Sequence, residues 1–232
     1  MWQALVNGVA GILKFFYEIT VTIGIPSYAL AIFFLTLLFK VILYPLTNKQ
    51  MKSMKSMQDI QPKIKEIQEK YKKNPEKANQ AIFELYKKYN VNPLAGCLPI
   101  LIQMPILLAL FQALQKFEYA DLGASFFWIS HLNNPVMNEP FPERFILPIL
   151  VGLTTYLQSK MSMAKTSNDN PQAAATQRTM LYFMPFLIGW MSMRFPAGLG
   201  LYWIFFSILS ILQQYYINRQ PALGKGEVGG SK

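Results

Sequence analysis

The chain has 232 residues, 52% of them hydrophobic and 15% charged, with a formal net charge of +10; that length and apolar share suit one compact membrane domain. The single cysteine, Cys97, lies in an apolar run, and the single histidine, His131, has no HxxxH or HExxH partner, which argues against a disulfide framework, a metal centre or a Ser-His-Asp site. No GxxxxGK[ST] occurs, and Gly224-Lys225-Gly226 is not a phosphate loop, so no nucleotide hydrolysis and no cofactor are expected.

Residues 2–18 read as an amphipathic helix. Trp2, Leu5, Val6, Val9, Ile12, Leu13 and Phe16 recur at helical spacing, while Gln3, Asn7, Lys14 and Glu18 gather on another face. Such a helix tends to lie in the membrane interface, and residues 1–20 are assigned that place. A signal peptide is the competing reading, but an early basic region and a small-residue cleavage site are both absent.

Five candidate spans follow, at about 23–47, 94–116, 144–164, 178–194 and 197–217. The first contains Lys40, just past a nineteen-residue uncharged stretch from Val21 to Phe39. A charge at mid-helix costs roughly 2.5–3.5 kcal/mol on insertion scales and usually marks a wet or protein-lined cavity. Snorkelling is the alternative, although Asn48 and Lys49 mark an aqueous end about 12 Å along the axis.

Residues 49–88 carry eleven lysines against five acidic residues. Nucleic acid is one reading of such a basic segment; its place between spans favours the positive-inside tendency instead. With Lys160, Lys165 and Arg178 in the loop after the third span, and Glu118, Asp121, Glu139 and Glu143 in the loop before it, the N-terminus is expected outside and the C-terminus in the cytoplasm. Pro62–Tyr71 has helical spacing, and Asn74-Pro75 supplies an N-cap and a first-turn proline for a second helix ending near Asn92-Pro93. Together they predict a charged helical hairpin over about 52–90; a solvated spacer is the plainer alternative.

Polar residues interrupt the spans. Thr36, Lys40 and Tyr44 are spaced i, i+4, i+8, so they are expected on one helix face. Gln103 lies in the second span, Thr154 and Gln158 in the third, and Gln213 and Gln214 near the inner end of the fifth. Converging, they would line a hydrated groove; acting singly, they would be interhelical hydrogen-bonding groups. Pro45, Pro99, Pro105, Pro148 and Pro185 favour kinks at membrane depth. Met51, Met54, Met57, Met161 and Met163 suit contact with varied apolar sequences, or ordinary interfacial packing.

Asn92-Pro93-Leu94-Ala95-Gly96-Cys97-Leu98-Pro99, running into Leu101-Ile102-Gln103-Met104-Pro105, resembles the signature of the YidC membrane protein insertases, relatives of the Oxa and Alb insertases. Tyr44-Pro45-Leu46-Thr47, Gln61-Pro62-Lys63-Ile64, Leu147-Pro148-Ile149-Leu150, Gln158-Ser159-Lys160-Met161-Ser162 and Phe195-Pro196-Ala197-Gly198-Leu199 match in order, covering about residues 20–219. The resemblance is to the short form, without a large periplasmic domain. It implies an all-α polytopic membrane protein with five transmembrane helices around a hydrophilic groove open to the cytoplasm, spanning 21–219, and a short cytoplasmic tail at 220–232. Lys40 takes the place of the family's usual groove arginine, keeping the charge but losing the bidentate guanidinium.

The resemblance implies a client-binding groove of Lys40, Thr36, Tyr44, Gln103, Thr154, Gln158 and Trp203. Met51, Met54, Met57, Lys63, Lys65, Lys72 and Lys73 would meet clients or the ribosome on the cytoplasmic side. The expected partners are nascent single- or double-span membrane proteins and the lipid bilayer of a bacterial plasma membrane. The ribosome, the signal recognition machinery and the Sec translocon are further candidates, and DNA is not expected. The runner-up is a small cation- or proton-coupled transporter, for which inverted repeats would be expected and none is found. An intramembrane enzyme comes third, without a nucleophile–base or metal pair to support it.

Overall fold

The structure, a computed structural model, describes residues 1–89, 91–92, 98–116, 125–129, 131–162 and 178–219. Cys97, Met163, Lys165, Glu118, Asp121 and the tail at 220–232 lie outside the described residues, as does most of the Asn92–Leu98 motif. The elements are α1 (Trp2–Thr22), α2 (Tyr28–Ile42), α3 (Tyr44–Lys70), α4 (Pro75–Lys88), α5 (Leu98–Lys116), α6 (Glu143–Ser162), a π-helical turn at Thr179–Phe183 leading into α7 (Met184–Ser192), and α8 (Ala197–Arg219). Among the described residues α1 and α8 are each long and apolar enough to cross a membrane, and α2 with α3 makes a third such element if the bent pair is one span.

The α1–α2 connection is a tight turn with local causes. Gly24 sits at φ 81°, a region that residues with a Cβ rarely adopt. Ser27 then caps α2, its Oγ accepting from the Leu30 amide at 3.3 Å, while its own amide donates to Thr20 Oγ1 at 3.2 Å. Across the turn the rings of Tyr17 and Tyr28 stack with centroids 3.8 Å apart.

The first expected span ends early. α2 stops at Ile42 and α3 leaves at 70° to it, with Leu43 as the joint and Pro45 in the first turn of α3. Proline has no amide to donate and its ring clashes with the carbonyl four residues back, so it suits a first turn but not an interior. From there α3 is one helix of 27 residues with Pro62 inside it. The charged hairpin therefore begins at Tyr44, not near 52, and no separate helix starts at Pro62. Its second arm forms as the spacing predicts: Asn74 Oδ1 accepts from the Lys77 amide at 3.1 Å. Likewise the expected fourth span, 178–194, is a π-helical turn followed by a nine-residue helix, with the change falling just before Pro185.

Two separate cores result. The larger joins α1, α2, α5, α6, α8 and the segment between α5 and α6, through residues such as Leu13, Ile32, Leu35, Leu110, Leu147 and Tyr202. The smaller lies within the hairpin, where Ile60, Ile64 and Val91 pack with Met57, Ile82, Leu85, Tyr86 and Tyr89. α8 is central to the larger core, and its first amides donate outside the helix: Ala197 N to Asn134 O at 2.9 Å and Gly198 N to Leu132 O at 2.8 Å.

α6 and α7 meet at Gly152 and Gly189, where a Cβ on Gly189 would stand 2.9 Å from the Pro148 carbonyl oxygen. Gly189→Ala should therefore destabilise the protein by about 1–3 kcal/mol through overpacking, lowering the unfolding temperature of detergent-solubilised protein. Gly11→Ala, where the added Cβ meets nothing within 4 Å, should be stabilising by about 0.5–1 kcal/mol.

Candidate functional site

Lys40 is buried, at 8% exposure, on the face of α2 that packs against α8. Its Nζ donates to Ser210 Oγ at 2.6 Å and lies 4.0 Å from the centroid of the Phe206 ring. Ser210 Oγ in turn donates to the Phe206 carbonyl at 2.7 Å. Both partners of the ammonium are neutral. Among the described residues no acidic side chain is paired with it, so the amine rests on one hydroxyl and one aromatic face.

One turn earlier, Thr36 is fully buried and its hydroxyl donates back to Ile32 O at 2.6 Å. Tyr44 does not join them. The i, i+4, i+8 alignment requires one straight helix, and the bend at Leu43 turns Tyr44 out to 47% exposure. Gln103 Nε2 on α5 donates to the Tyr202 hydroxyl at 2.6 Å, so this residue reaches α8 as well. Trp203 Nε1 donates to Thr155 Oγ1 at 2.9 Å. The neighbouring Thr154 is satisfied within α6 by the carbonyls of Leu150 and Val151, and Gln158 is half-buried one turn on.

α8 therefore receives polar side chains from three helices: Lys40 from α2, Gln103 from α5 and Thr155 from α6. Of the partners it offers, Trp203 is among the residues singled out by sequence, whereas Ser210, Phe206 and Tyr202 are not. Their signal is the i, i+4, i+8 spacing of Tyr202, Phe206 and Ser210, which puts one hydroxyl-and-aromatic stripe along the helix.

On the hairpin, Met51, Met54 and Met57 are half-buried, and Met57 packs on the hairpin core. Lys63, Lys72 and Lys73 are exposed and Lys65 is half-buried. Lys63 bonds the Tyr89 hydroxyl and stands 4.4 Å from that ring, which holds the Tyr89 phenol below its ordinary pKa. Lys55 Nζ donates to Ile217 O at 3.1 Å and Asn218 O at 3.3 Å, and Gln58 Nε2 donates to Ser162 O at 2.9 Å. α3 thus supplies donors to the last carbonyls of both α8 and α6. Among the described residues no group of three or more His, Cys, Asp or Glu could hold a metal ion.

The family described as 60Kd inner membrane protein matches residues 18–223. A protein of Clostridium perfringens named membrane protein insertase YidC is 44% identical over 198 residues, covering 84% of this chain and 80% of that protein. One of Oceanobacillus iheyensis with the same name is 42% identical, covering 86% of this chain and 77% of that protein. A third, from Syntrophus aciditrophicus, is 41% identical over 90% of this chain, but the chain spans only 35% of its length. Among solved structures, an active YidC insertase with its first transmembrane domain resolved superposes with a TM-score of 0.67 at 27% identity, covering 93% of this chain and 47% of that one.

Removing the hydroxyl that serves Lys40 should be costly. Ser210→Ala should destabilise the protein by about 1–3 kcal/mol, the cost of leaving a buried charged donor under-satisfied. In the Lys40→Met background the same change should cost much less, a coupling measurable as a double-mutant cycle on the unfolding midpoint in detergent.

Proposed function

The chain belongs to the 60Kd inner membrane protein family, that of the YidC membrane protein insertases, and on that basis we propose that it helps client transmembrane segments enter the lipid bilayer without nucleotide hydrolysis. The observation that carries this reading is Lys40, a basic side chain held inside an apolar bundle by two neutral groups, Ser210 and Phe206. In this reading α2, α5, α6, α7 with its π-helical turn, and α8 are the five spans. The groove they enclose is lined by Lys40, Thr36, Gln103, Thr154, Gln158 and Trp203 and opens to the cytoplasm. Tyr44 stands at its mouth.

The hairpin faces the cytoplasm, with its methionines and lysines meeting clients or the ribosome. The N-terminus lies outside and the C-terminus inside a bacterial plasma membrane. α1 rests in the outer interface across the ends of the spans. Two contacts support that placement: Trp2 Nε1 bonds Gln112 Oε1, near the end of α5, at 3.0 Å, and Tyr17 stacks on Tyr28 at the start of α2. A helix running down beside α2 would bring Trp2 to the opposite end.

Lys40 attracts acidic residues in the client's translocated segment, while the groove hydroxyls and amides replace part of that segment's hydration. The client span then leaves sideways into lipid. Each Leu, Ile, Phe or Val at its centre contributes about 0.3–0.6 kcal/mol. An inside-negative potential adds about 2.3 kcal/mol per 100 mV for each acidic charge moved outward. The relatives' names and the absence of a detectable inverted repeat in the sequence favour this reading over the cation-coupled transporter.

Purified protein in proteoliposomes should insert a single-span client with an acidic translocated tail, scored by protease protection. Lys40→Arg should retain that insertion, and Lys40→Ala should reduce it about ten-fold, as expected for a lost interaction of roughly 1.4 kcal/mol. A client with a neutral tail should be nearly indifferent to Lys40→Ala; equal loss on both tails would sink charge attraction as the role of Lys40.

A further inference from the structure

Buried polar atoms near the junction of α3 and α8 have no partner among the described residues. Gln50 on α3 is 4% exposed, yet neither its Nε2 nor its Oε1 is hydrogen-bonded. Gln214 on α8 is 1% exposed and its Oε1 is unpaired, although its Nε2 donates to Asn218 Oδ1 at 2.8 Å. Ser207 Oγ is fully buried and also unpaired.

This is not a region where polar groups in general go unmet. Gln213 Nε2 donates to Thr47 Oγ1 at 3.1 Å, and Lys55 and Gln58 reach backbone carbonyls of α8 and α6. Gln50 lies on α3 between Thr47 and Lys55, and Gln214 lies on α8 between their respective partners, Gln213 and Ile217. The unpaired Gln50 amide and the unpaired Gln214 oxygen therefore lie in the stretch over which the two helices are fastened. Ser207, Ser210 and Gln214 follow i, i+3, i+7, so they share a face of α8 with the hydroxyl that serves Lys40. Gln214 is about 6 Å along the axis from Ser210.

Native proteins leave few buried polar groups unpaired, because the desolvation cost is not recovered. An amide that offers both a free donor and a free acceptor is the complement of a peptide group. A client helix has already satisfied its own backbone and gains nothing from such a partner. An extended polar segment that gives up water on entering the groove has exposed peptide groups that need one.

We propose that Gln50 is a docking site for the peptide backbone of an extended client segment, on the hairpin side of the groove and ahead of Lys40. Recognition there depends on the peptide group and not on charge or sequence. The inference rests on the insertase reading and adds to it a second, charge-independent contact.

The test uses the full chain in proteoliposomes and two single-span clients that differ only in the translocated tail, one acidic and one rich in serine and asparagine. Gln50→Leu should slow insertion of both clients about five-fold, as expected for the loss of one or two neutral hydrogen bonds. Its unfolding temperature should be unchanged or raised, because an unpaired buried amide has been removed. Lys40→Ala, by contrast, should slow the acidic client alone. Gln50→Cys, in a Cys97→Ser background, should form a disulfide with a cysteine in the tail of a client halted during insertion, and not with one in its apolar span.

Native-rate insertion of both clients by Gln50→Leu would overturn the proposal. So would a lowered unfolding temperature in both Gln50→Leu and Gln50→Met, which would assign the amide to holding the fold. Failure of the native protein to insert either client would instead remove the insertase reading itself.

Discussion

Lys40 stays inside the bundle because α8 supplies what water would otherwise supply: the Ser210 hydroxyl at 2.6 Å and the face of Phe206 at 4.0 Å. Both must be within reach of one ammonium, so α2 and α8 are fixed in axial register. The fit depends on α8 being slim. Gly198 stands against Ile32 and Leu132, and Gly200 against Leu147, at distances where a Cβ would force its neighbours aside. Gln103 and Thr155 bond to the same helix from α5 and α6. A helix that receives polar groups from three sides cannot present a single apolar stripe, and buried residues of α8 accordingly run along its whole length.

The hairpin is a second body with its own small core. It is joined to the first by a covalent bend at Leu43 and by donors that α3 extends to the ends of two other helices. The last carbonyls of a helix have no partner inside it; at α8 and α6 some of these acceptors are met by Lys55 and Gln58. The basic residues of this segment therefore do more than set charge. Lys55 fastens the hairpin to the bundle, while Lys63, Lys72 and Lys73 remain exposed.

Much of this architecture is written in local chemistry. The Asn74 cap, the helical pattern of α4 and the apolar character of α8 follow from residue type and spacing, and all three appear as expected. Lys40 stands out because a charge within an apolar run is costly wherever the run ends up. The ordered matches to the YidC pattern likewise need nothing beyond the sequence, and the similarities to relatives bear out the family they imply.

Three features were decided only by tertiary structure. Pro45 signalled a break, but whether it would kink a continuing helix or end one depended on where α3 found its packing partners. Ending α2 at Ile42 removed Tyr44 from the face shared by Thr36 and Lys40. Periodicity places residues on a face without saying which helix that face meets, so Ser210, Phe206, Tyr202 and Thr155 were not identified as partners. Whether a glutamine is paired is likewise invisible to sequence: Gln213 and Gln50 are the same residue type on helices that touch, yet one is hydrogen-bonded and the other is not. The sequence determined the helical class, the anomalous lysine and the family, but not every helix boundary. Burial and hydrogen bonding depend on contacts between residues distant in the chain, and only the packed structure could decide those.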